Sequence, residues 1–362
     1  MKFGLIVSLL CLYALSFGQD NTNQNKFRQL GQELPTPNSY RAASGAPGYA
    51  YWQQKADYVI QVALDDASQR IYGEETITYT NNAPESLNYL WLQLDQNMRA
   101  KDSDTYKSQT SNINGRASAS GLERLDPTFD GGFKIDWVRD TNSQNLPFTI
   151  NKTMMRVDLP VTLRTGQSYA FSIKWWYNIN NRPKLGGRSG YEYFEEDDNY
   201  LYTIAQFFPR MAVYSDVEGW QHKQFLGRGE FTLTFGDYDV SISVPSDHVV
   251  AATGLLQNPE AVLTKDQQKR YQNAQKSYES PVYVVTADEA LSNEKSRASE
   301  IKTWHFKAEN VRDFAFASSR KFIWDAMAVK QAASPDVLAM SIIQKKAIHS
   351  GNNTVQKQLP ML

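Results

Sequence analysis

The side chains of this sequence that are best suited to bind a metal are its four histidines, His222, His248, His305 and His349. None of them begins an H-E-x-x-H motif, and no two are spaced to share one helical turn, which is the arrangement a zinc peptidase needs. Glu218 lies four residues before His222, but Gly219 between them disfavours the helix that would place both on one face. We therefore predict that His222 is a lone surface histidine.

A second group of candidate ligands is the acidic run Glu195–Asp198. A calcium loop needs alternating oxygen ligands and a tight glycine turn, and the run has neither, so we interpret it as a solvated loop. The sequence also contains no G-x-S-x-G nucleophile motif and no phosphate-binding Walker loop. Short catalytic patterns therefore assign no activity to this chain.

Most of the chain that must position these residues alternates apolar and polar side chains with a period of two. The alternation is found in Tyr58–Leu64, Ile71–Thr80, Leu90–Leu94, Phe171–Tyr177, Phe231–Phe235, Tyr238–Val244 and Lys302–Lys307. Strands with one apolar and one polar face indicate antiparallel sheets, and the turn residues Asp65–Ser68 predict a hairpin between the first two strands. We predict a mainly all-β fold, an antiparallel β-sandwich or saddle, with His305 on the polar face of its strand.

Three segments depart from this pattern. Thr264 and Gln267 form a capping box, and the Gln- and Lys-rich segment Thr264–Tyr278 predicts one short, polar, exposed helix inserted between strands. Ala100–Asp130 is rich in Ser, Asn and Gly, which predicts a long loop. At the C-terminal end we expect a short helical or irregular piece.

Composition limits the class of protein. The 362 residues are 41% hydrophobic, and 38 basic against 39 acidic residues leave a formal net charge of -1, which is no footprint for nucleic acid or an anionic membrane. Residues 1–18 have a positive tip and a short apolar run, which predicts a signal peptide and a periplasmic or secreted protein, with no transmembrane segment after cleavage. Residues 19–51 are predicted to be an extended polar lead-in. The only cysteine, Cys11, lies in the apolar run, so we expect no disulfide in the mature chain.

Four blocks of the sequence carry a resemblance to a known family. They are Gly73–Asn82, Leu90–Asn97, Gly186–Phe235 and Asn310–Ala317. Together they resemble exported bacterial members of the gluzincin zinc aminopeptidases, the family of aminopeptidase N and leukotriene hydrolase. The resemblance runs from about Trp52 to Ser341, and it implies an N-terminal β-saddle domain over 52–322, with 323–341 leading into a catalytic domain.

The resemblance also implies what is missing. The family binds zinc and catalyses hydrolysis in its catalytic domain, through G-x-M-E-N and H-E-x-x-H motifs that this chain lacks, so it implies zinc only for a full-length parent and no catalytic or metal-binding residue here. Gln206, in the sequence Ala205-Gln206-Phe207, resembles the glutamine that lines the first substrate pocket. Where relatives often place an acid two residues later, this chain has Phe208. A structural role for Gln206, a hydrogen bond that ties strand to loop, is the alternative.

The sequence leaves the family pattern after Ser341. The family would continue with a stretch such as Tyr-Tyr-Pro-Lys-Glu-Gly-Asn, and reading suitable codons for that stretch one base later yields Ile342–Ile348 as they stand. We hypothesise a frameshift, which would make 342–362 a non-native tail and would remove the catalytic domain.

These observations predict an N-terminal fragment of a zinc metallo-aminopeptidase that removes N-terminal residues from peptides, and a fragment that is inactive alone. Its partners would be the missing catalytic domain and, in the parent, a peptide substrate. The alternative is a stand-alone exported β-sandwich module that binds peptides or carbohydrates, since 20 Tyr and 8 Trp could form an aromatic platform. A fragment would expose a large apolar docking surface, whereas a module would cover its faces with polar residues.

Overall fold

The structure is a computed structural model, and it describes residues 37–108, 128–227, 229, 231–332 and 334–344. The chain divides into a first unit, residues 1–52, and a second unit, residues 53–362. In the first unit the described residues form turns and one bridge between Arg41 and Pro47, and the Arg41 guanidinium lies 5.0 Å from the centre of the Tyr51 ring. The predicted signal peptide lies outside the described residues.

The second unit is built mainly of β-strands. In chain order they are β1 Lys55–Asp65, β2 Arg70–Thr80, β3 Leu87–Gln93, β4 Lys134–Asp140, β5 Phe148–Asn151, β6 Met154–Leu163, β7 Ser168–Asn178, β8 Gly190–Phe194, β9 Asn199–Ile204, β10 Arg210–Met211, β11 Tyr214–Ser215, β12 Gly219–Trp220, β13 Gly236–Pro245, β14 Val249–Ala252, β15 Leu255–Leu256, β16 Val282–Val285, β17 Ile301–Val311, β18 Phe316–Ser319, β19 Phe322–Val329 and β20 Val337–Gln344.

Helices are short and few in this part of the chain. They are α1 Asp104–Ser108, α2 Arg182–Leu185, α3 Pro259–Val262, α4 Lys265–Ala274 and α5 Ala287–Lys295, together with a 3-10 helix over Asp95–Arg99. None of the helices in the described ranges is long and apolar enough to cross a membrane.

The largest sheet, here called the main sheet, has the strand order β15-β17-β13-β1-β2-β7-β4. Its hairpin β1–β2 is regular from Lys55 opposite Thr80 to Asp65 opposite Arg70, as the turn residues predict. The inward side chains of β1 are buried, while Val59 between them is 54% exposed. The main sheet therefore has one core face and one outer, largely polar face.

The core face of the main sheet shares one hydrophobic cluster with the other sheets. Those sheets have the orders β10-β3-β6-β5, β14-β18-β9-β8 and β16-β19-β20, with a small pair β11-β12. Large aromatic side chains fill the space between the layers, among them Trp175, Tyr177, Phe207 and Trp304. At Gly73 of β2 a Cβ atom would overlap the indole ring of Trp175, so only glycine lets β2 and that ring approach.

The predicted all-β class is confirmed, and among the strand pairs of the described residues one is parallel rather than antiparallel. Strands β1 and β13 are parallel, from Tyr58 opposite Tyr238 to Ala63 opposite Ser243. A parallel pair needs a long connection, and here strands β2 to β12 lie between β1 and β13 in the chain. Sequence periodicity gives no information on that return direction.

Two strand predictions need correction. Residues 231–234 form no strand, although Phe231–Phe235 alternates, because Arg312 occupies the place of a strand partner. Its guanidinium donates to the Leu233 carbonyl oxygen at 2.7 Å and to Thr232 Oγ1 at 2.6 Å. Over residues 322–344 the expected helical or irregular C-terminal piece is wrong, because β19 and β20 form a regular hairpin from Phe322 opposite Gln344 to Val329 opposite Val337. Residues 345–362 lie outside the described ones.

The helix prediction is confirmed in place but incomplete. Helix α4 carries the predicted capping box of Thr264 and Gln267, yet it is not wholly exposed, because Tyr271 packs on Trp324 at 5.4 Å between ring centres. Helix α5 has a second capping box, Thr286 with Glu289, whose T-x-x-E pattern was equally legible in the sequence. The predicted loop Ala100–Asp130 contains α1, and its residues 109–127 lie outside the described ones.

A buried group of charges joins several turns of the second unit. Arg320 donates to Asp66 at 2.7 Å and lies 3.0 Å from Asp247. His248 Nδ1 lies 2.8 Å from Ser318 Oγ, and its Nε2 lies 3.9 Å from Asp66. Burial, and next the positive charge of Arg320, lower the pKa of His248 to about 4. This histidine is therefore neutral in the folded protein at neutral pH.

We expect the protein to lose stability in mild acid through His248. The unfolded chain protonates this side chain below about pH 6.5, whereas the folded chain does so only below about pH 4. Because the unfolded state binds more protons at this histidine between these values, the contribution of His248 to the free energy of unfolding falls as the pH falls through this window, by on the order of 3 kcal/mol. Asp325, whose pKa burial raises to about 6, contributes in the opposite direction. Urea unfolding at pH 7, 5.5 and 4.5 measures it. His248→Gln should reduce the change of the free energy of unfolding with pH in this window, and His222→Gln, at an exposed site, should not. An equal pH dependence in both variants would contradict the role of His248.

Candidate functional site

Gln206 lies in the short connection between β9 and β10, and its backbone is unusual. Its φ is 54°, in the left-handed region that non-glycine residues seldom adopt. The side chain is half-buried, and the two following residues, Phe207 and Phe208, are fully buried. A strained backbone persists only where its surroundings hold it, and such residues cluster at binding sites.

The conformation of Gln206 is held from the 3-10 helix. Gln96 Nε2 donates to the carbonyl oxygens of Ala205 at 3.2 Å and of Gln206 at 3.0 Å. Gln96 is itself oriented by Arg99, whose guanidinium donates to Gln96 Oε1 at 2.9 Å. On the other side Ala205 donates its main-chain N–H to Ser189 Oγ at 3.2 Å. Gln206, the predicted substrate-pocket residue, therefore lies on a loop that hydrogen bonds hold on both sides.

Below this loop lies a buried ion bridge, which we call the Arg210 bridge. Arg210 donates through Nε to Asp95 at 3.1 Å, with its Nη2 2.8 Å from the same carboxylate, and through Nη1 to Asp313 at 2.6 Å. The Arg210 and Asp95 side chains are 7% and 1% exposed. Burial raises the pKa of Asp95, and the arginine opposes that rise only in part. Burial lowers the pKa of Arg210, but the two carboxylates outweigh it and keep the guanidinium charged.

Phe208 stands where relatives of the resembled family often place an acid, and here it is part of the core. Its ring packs edge-on against Tyr58 at 5.4 Å and Tyr238 at 6.0 Å. The Tyr58 hydroxyl oxygen accepts the Met211 N–H at 2.9 Å, so this aromatic group also anchors β10. The position therefore stabilises the loop and offers no charge to a ligand.

Glu75 is a buried acid that the sequence analysis missed. It is 1% exposed on the core face of β2, and burial raises the pKa of its carboxyl well above the usual range. Neither of its carboxyl oxygens has a hydrogen-bond partner among the described residues. The signal was present, because Glu75 falls in phase with the inward residues Ile71 and Ile77, and such a phase places an acid in the core.

The histidines and the acidic run behave largely as predicted. His222 is exposed, its Nδ1 lies 2.8 Å from the Trp220 carbonyl oxygen, and Glu218 instead pairs with Lys223 at 3.2 Å. His305 lies on the outer face of β17 and contacts Asp239 at 2.6 Å. His349 lies outside the described residues.

The acidic run Glu195–Asp198 forms the turn between β8 and β9. It is not fully solvated as predicted, because Asp197 contacts the buried ammonium of Lys321. Lys321 also lies 3.0 Å from Glu294 of α5, so the turn is tied to that helix.

The described residues do not fit the zinc centre of the resembled family. No group of three or more His, Cys, Asp or Glu side chains in this part of the chain is placed to hold a metal ion. Together with the missing H-E-x-x-H motif, this arrangement offers polar contacts at Gln206 but no set of ligands for zinc. No hydrolytic step follows from these residues.

No protein-family model and no curated protein matches this sequence. Solved structures similar to this chain include a mutant of the M1 zinc metallopeptidase from Deinococcus radiodurans, with 12% identity and a TM-score of 0.42, covering 88% of this chain and 51% of the other. The mutant bound to a Tyr-Ser-Ala substrate gives 12% identity, a TM-score of 0.43 and the same coverage. A two-domain M1 zinc metallopeptidase mutant bound to L-tryptophan gives 12% identity and a TM-score of 0.42, covering 88% of this chain and 52% of the other. The chain spans about half the length of these structures.

We expect loss of the Arg210 bridge to be far more costly than loss of an exposed ion pair. Arg210→Met leaves the buried Asp95 carboxylate without its partner, which should lower the free energy of unfolding by about 3–5 kcal/mol. Lys223→Met, which removes the exposed partner of Glu218, is the matched control and should change it by less than about 1 kcal/mol. Both are measured by urea unfolding at pH 7. Similar decreases in the free energy of unfolding for the two variants would contradict the prediction that the Arg210 bridge contributes more than an exposed ion pair.

Proposed function

We propose that this chain is the N-terminal β-domain of an exported zinc aminopeptidase-like protein, and that it contributes Gln206 to the substrate site formed with a catalytic domain. In this proposal zinc and hydrolysis belong to the full-length parent, and the chain as it stands does not hydrolyse peptides. Residues 1–18 would be a signal peptide, which makes the protein periplasmic or secreted.

The proposal rests on one observation. Three of the four sequence blocks that resemble the family contact one another at the Arg210 bridge. Asp95, Arg210 and Asp313 come from three of the four blocks, and the ion pairs join residues 115 and 103 positions apart in the chain. Blocks that resemble a family at separate places in a sequence are expected to meet in space if they preserve one site. Here they meet next to the loop that carries Gln206, because Gln96, which donates to that loop, directly follows Asp95 in the chain.

The hydrogen bonds of the Gln206 loop favour a ligand contact over the structural alternative. The tie between this loop and the 3-10 helix uses the main-chain carbonyl oxygen of Gln206, not its side-chain amide. A glutamine with only that structural role would be expected to use its side chain for the hydrogen bond. The half-buried side-chain amide of Gln206, on a loop that hydrogen bonds hold in place, is suited to bind a polar substrate group.

The proposal includes the frameshift after Ser341 and is tested first on the DNA. Sequencing through that codon should show that a one-base shift opens a frame that encodes H-E-x-x-H within the next few hundred codons. In the restored full-length protein, Gln206→Ala should lower kcat/KM for aminoacyl-anilides by about tenfold or more, because it removes one hydrogen bond to a charged amine. Gln257→Ala, at an exposed site, is the control. A neighbouring frame without the H-E-x-x-H motif would reject the frameshift. Equal kcat/KM values for the Gln206→Ala and Gln257→Ala variants would reject the substrate-binding role of Gln206.

The chain by itself should bind no stoichiometric zinc and show no turnover. Atomic absorption on the purified chain after zinc loading and dialysis measures the first, and release of aniline from aminoacyl-anilides measures the second. The restored full-length protein is the positive control for both assays. Zinc retained at one equivalent by the present chain would mean that residues other than an H-E-x-x-H motif bind the metal.

A further inference from the structure

The outer face of the main sheet carries a groove that the proposed function does not use. It has a volume of about 460 Å³ and crosses five neighbouring strands, β7, β2, β1, β13 and β17. Five strands at about 4.8 Å spacing make a groove roughly 19 Å across, which suits a short oligomeric ligand. We call it the outer groove.

The floor and the walls of the outer groove follow from the strand register. Ala63 of β1 lies beside Ser243 of β13, and these two small residues form the floor. On one side Tyr72 of β2 lies opposite Ala63 and is 42% exposed. On the other side Thr303 of β17 lies opposite Ser243, with their hydroxyl oxygens 2.9 Å apart. Small residues between larger ones make the depression.

Tyr72 gives the groove an aromatic wall that is held in place from behind. Its ring centre lies 6.4 Å from that of Trp176 on β7, and the Arg70 guanidinium lies 5.1 Å from the Trp176 ring. A half-exposed, supported aromatic ring loses little conformational freedom on binding and offers an apolar face with a polar rim. Such a face matches a ligand that is itself apolar on one side and hydroxylated at its edges.

The polar side chains of the groove complement a neutral ligand rich in hydroxyl groups. The exposed side chain of Gln61 offers an amide, and Glu74 lies opposite Lys174 across the β2–β7 pair. Glu74 and Lys174 are the only charged side chains that line the groove, so the groove has no net charge. A polyanion such as nucleic acid therefore finds no net attraction here.

Backbone pairing argues against an extended peptide as the occupant. All five strands of the outer groove are interior in the strand order of the main sheet. The two-residue strand β15 pairs only with Phe306 and Lys307 of β17, and at Thr303 the side chain of Asn258 takes its place, with Nδ2 donating to the Thr303 carbonyl oxygen at 2.9 Å. Peptides that bind sheets usually add to a free strand edge through main-chain hydrogen bonds, and this groove has no such edge. A ligand here must be held by side chains and by the aromatic ring.

From these features we propose that the outer groove binds a neutral oligosaccharide, with the sugar ring stacked on Tyr72 and its hydroxyl groups bound by Gln61, Glu74 and the Ser243–Thr303 pair. The site is independent of Gln206 and of any catalytic domain, so it stands or falls separately from the proposed function.

The test is titration of the purified full chain with neutral hexasaccharides of glucose and of N-acetylglucosamine, by calorimetry and by saturation-transfer NMR. At least one should bind saturably, and the affinity should not change between low and high salt. Tyr72→Ala should weaken binding by about tenfold or more, since it removes the stacking face. Gln61→Ala, a smaller change at an exposed site, should weaken it less. Unchanged near-ultraviolet circular dichroism verifies that both variants are folded.

The control is Tyr283→Ala, which removes a tyrosine that is 50% exposed on β16, outside the outer groove. It should leave the affinity unchanged. The proposal is overturned if no neutral hexasaccharide binds at millimolar concentration, or if Tyr72→Ala and Gln61→Ala bind as well as the unaltered chain. Stronger, salt-dependent binding of heparin at the same groove would also overturn it, because a polyanion would then be the preferred ligand.

Discussion

The structure depends most on the burial of one positive charge. Arg210, on β10 of the second sheet, is buried beside the 3-10 helix and the chain segment that follows β17, and a guanidinium there is tolerated only if carboxylates meet it. Asp95 and Asp313 supply them from distant parts of the chain. Their positions constrain the 3-10 helix, β10 and the approach to β18 at once, and the Gln206 loop rests on that frame. The loop geometry is therefore a consequence of charge pairing in the core.

A second buried charge group has a comparable role at the turns. Arg320 joins the β1–β2 turn through Asp66 and the β13–β14 turn through Asp247. Lys321, the next residue, reaches the acidic turn through Asp197 and helix α5 through Glu294. Adjacent basic residues at the β18–β19 turn thus connect several turns that share no strand ladder. Hydrophobic packing holds the layers together, and these ion pairs define how these turns are arranged.

Much of the fold was predictable because its causes are local. Period-two alternation indicated β1, β2 and β7, and the turn residues between β1 and β2 indicated their hairpin. The capping box at Thr264 placed α4. The alternation failed at Phe231–Phe235, because a strand also needs a partner and Arg312 takes that place. It failed to distinguish β19 and β20 from a helical piece, because a short apolar run has no polar face to reveal its period.

The amino-acid sequence by itself determined the β class, the hairpin, the capped helix and the lack of an H-E-x-x-H motif, since each of these depends on residues close together in the chain. Tertiary structure alone decided which buried charges pair with one another, that Gln206 is held in a left-handed conformation by Gln96, and that the small residues Ala63 and Ser243 lie side by side on the outer face of the main sheet. The reason is physical. Burial, ion pairing and sheet order join residues a hundred or more positions apart, and local periodicity contains no information about which distant segments will meet.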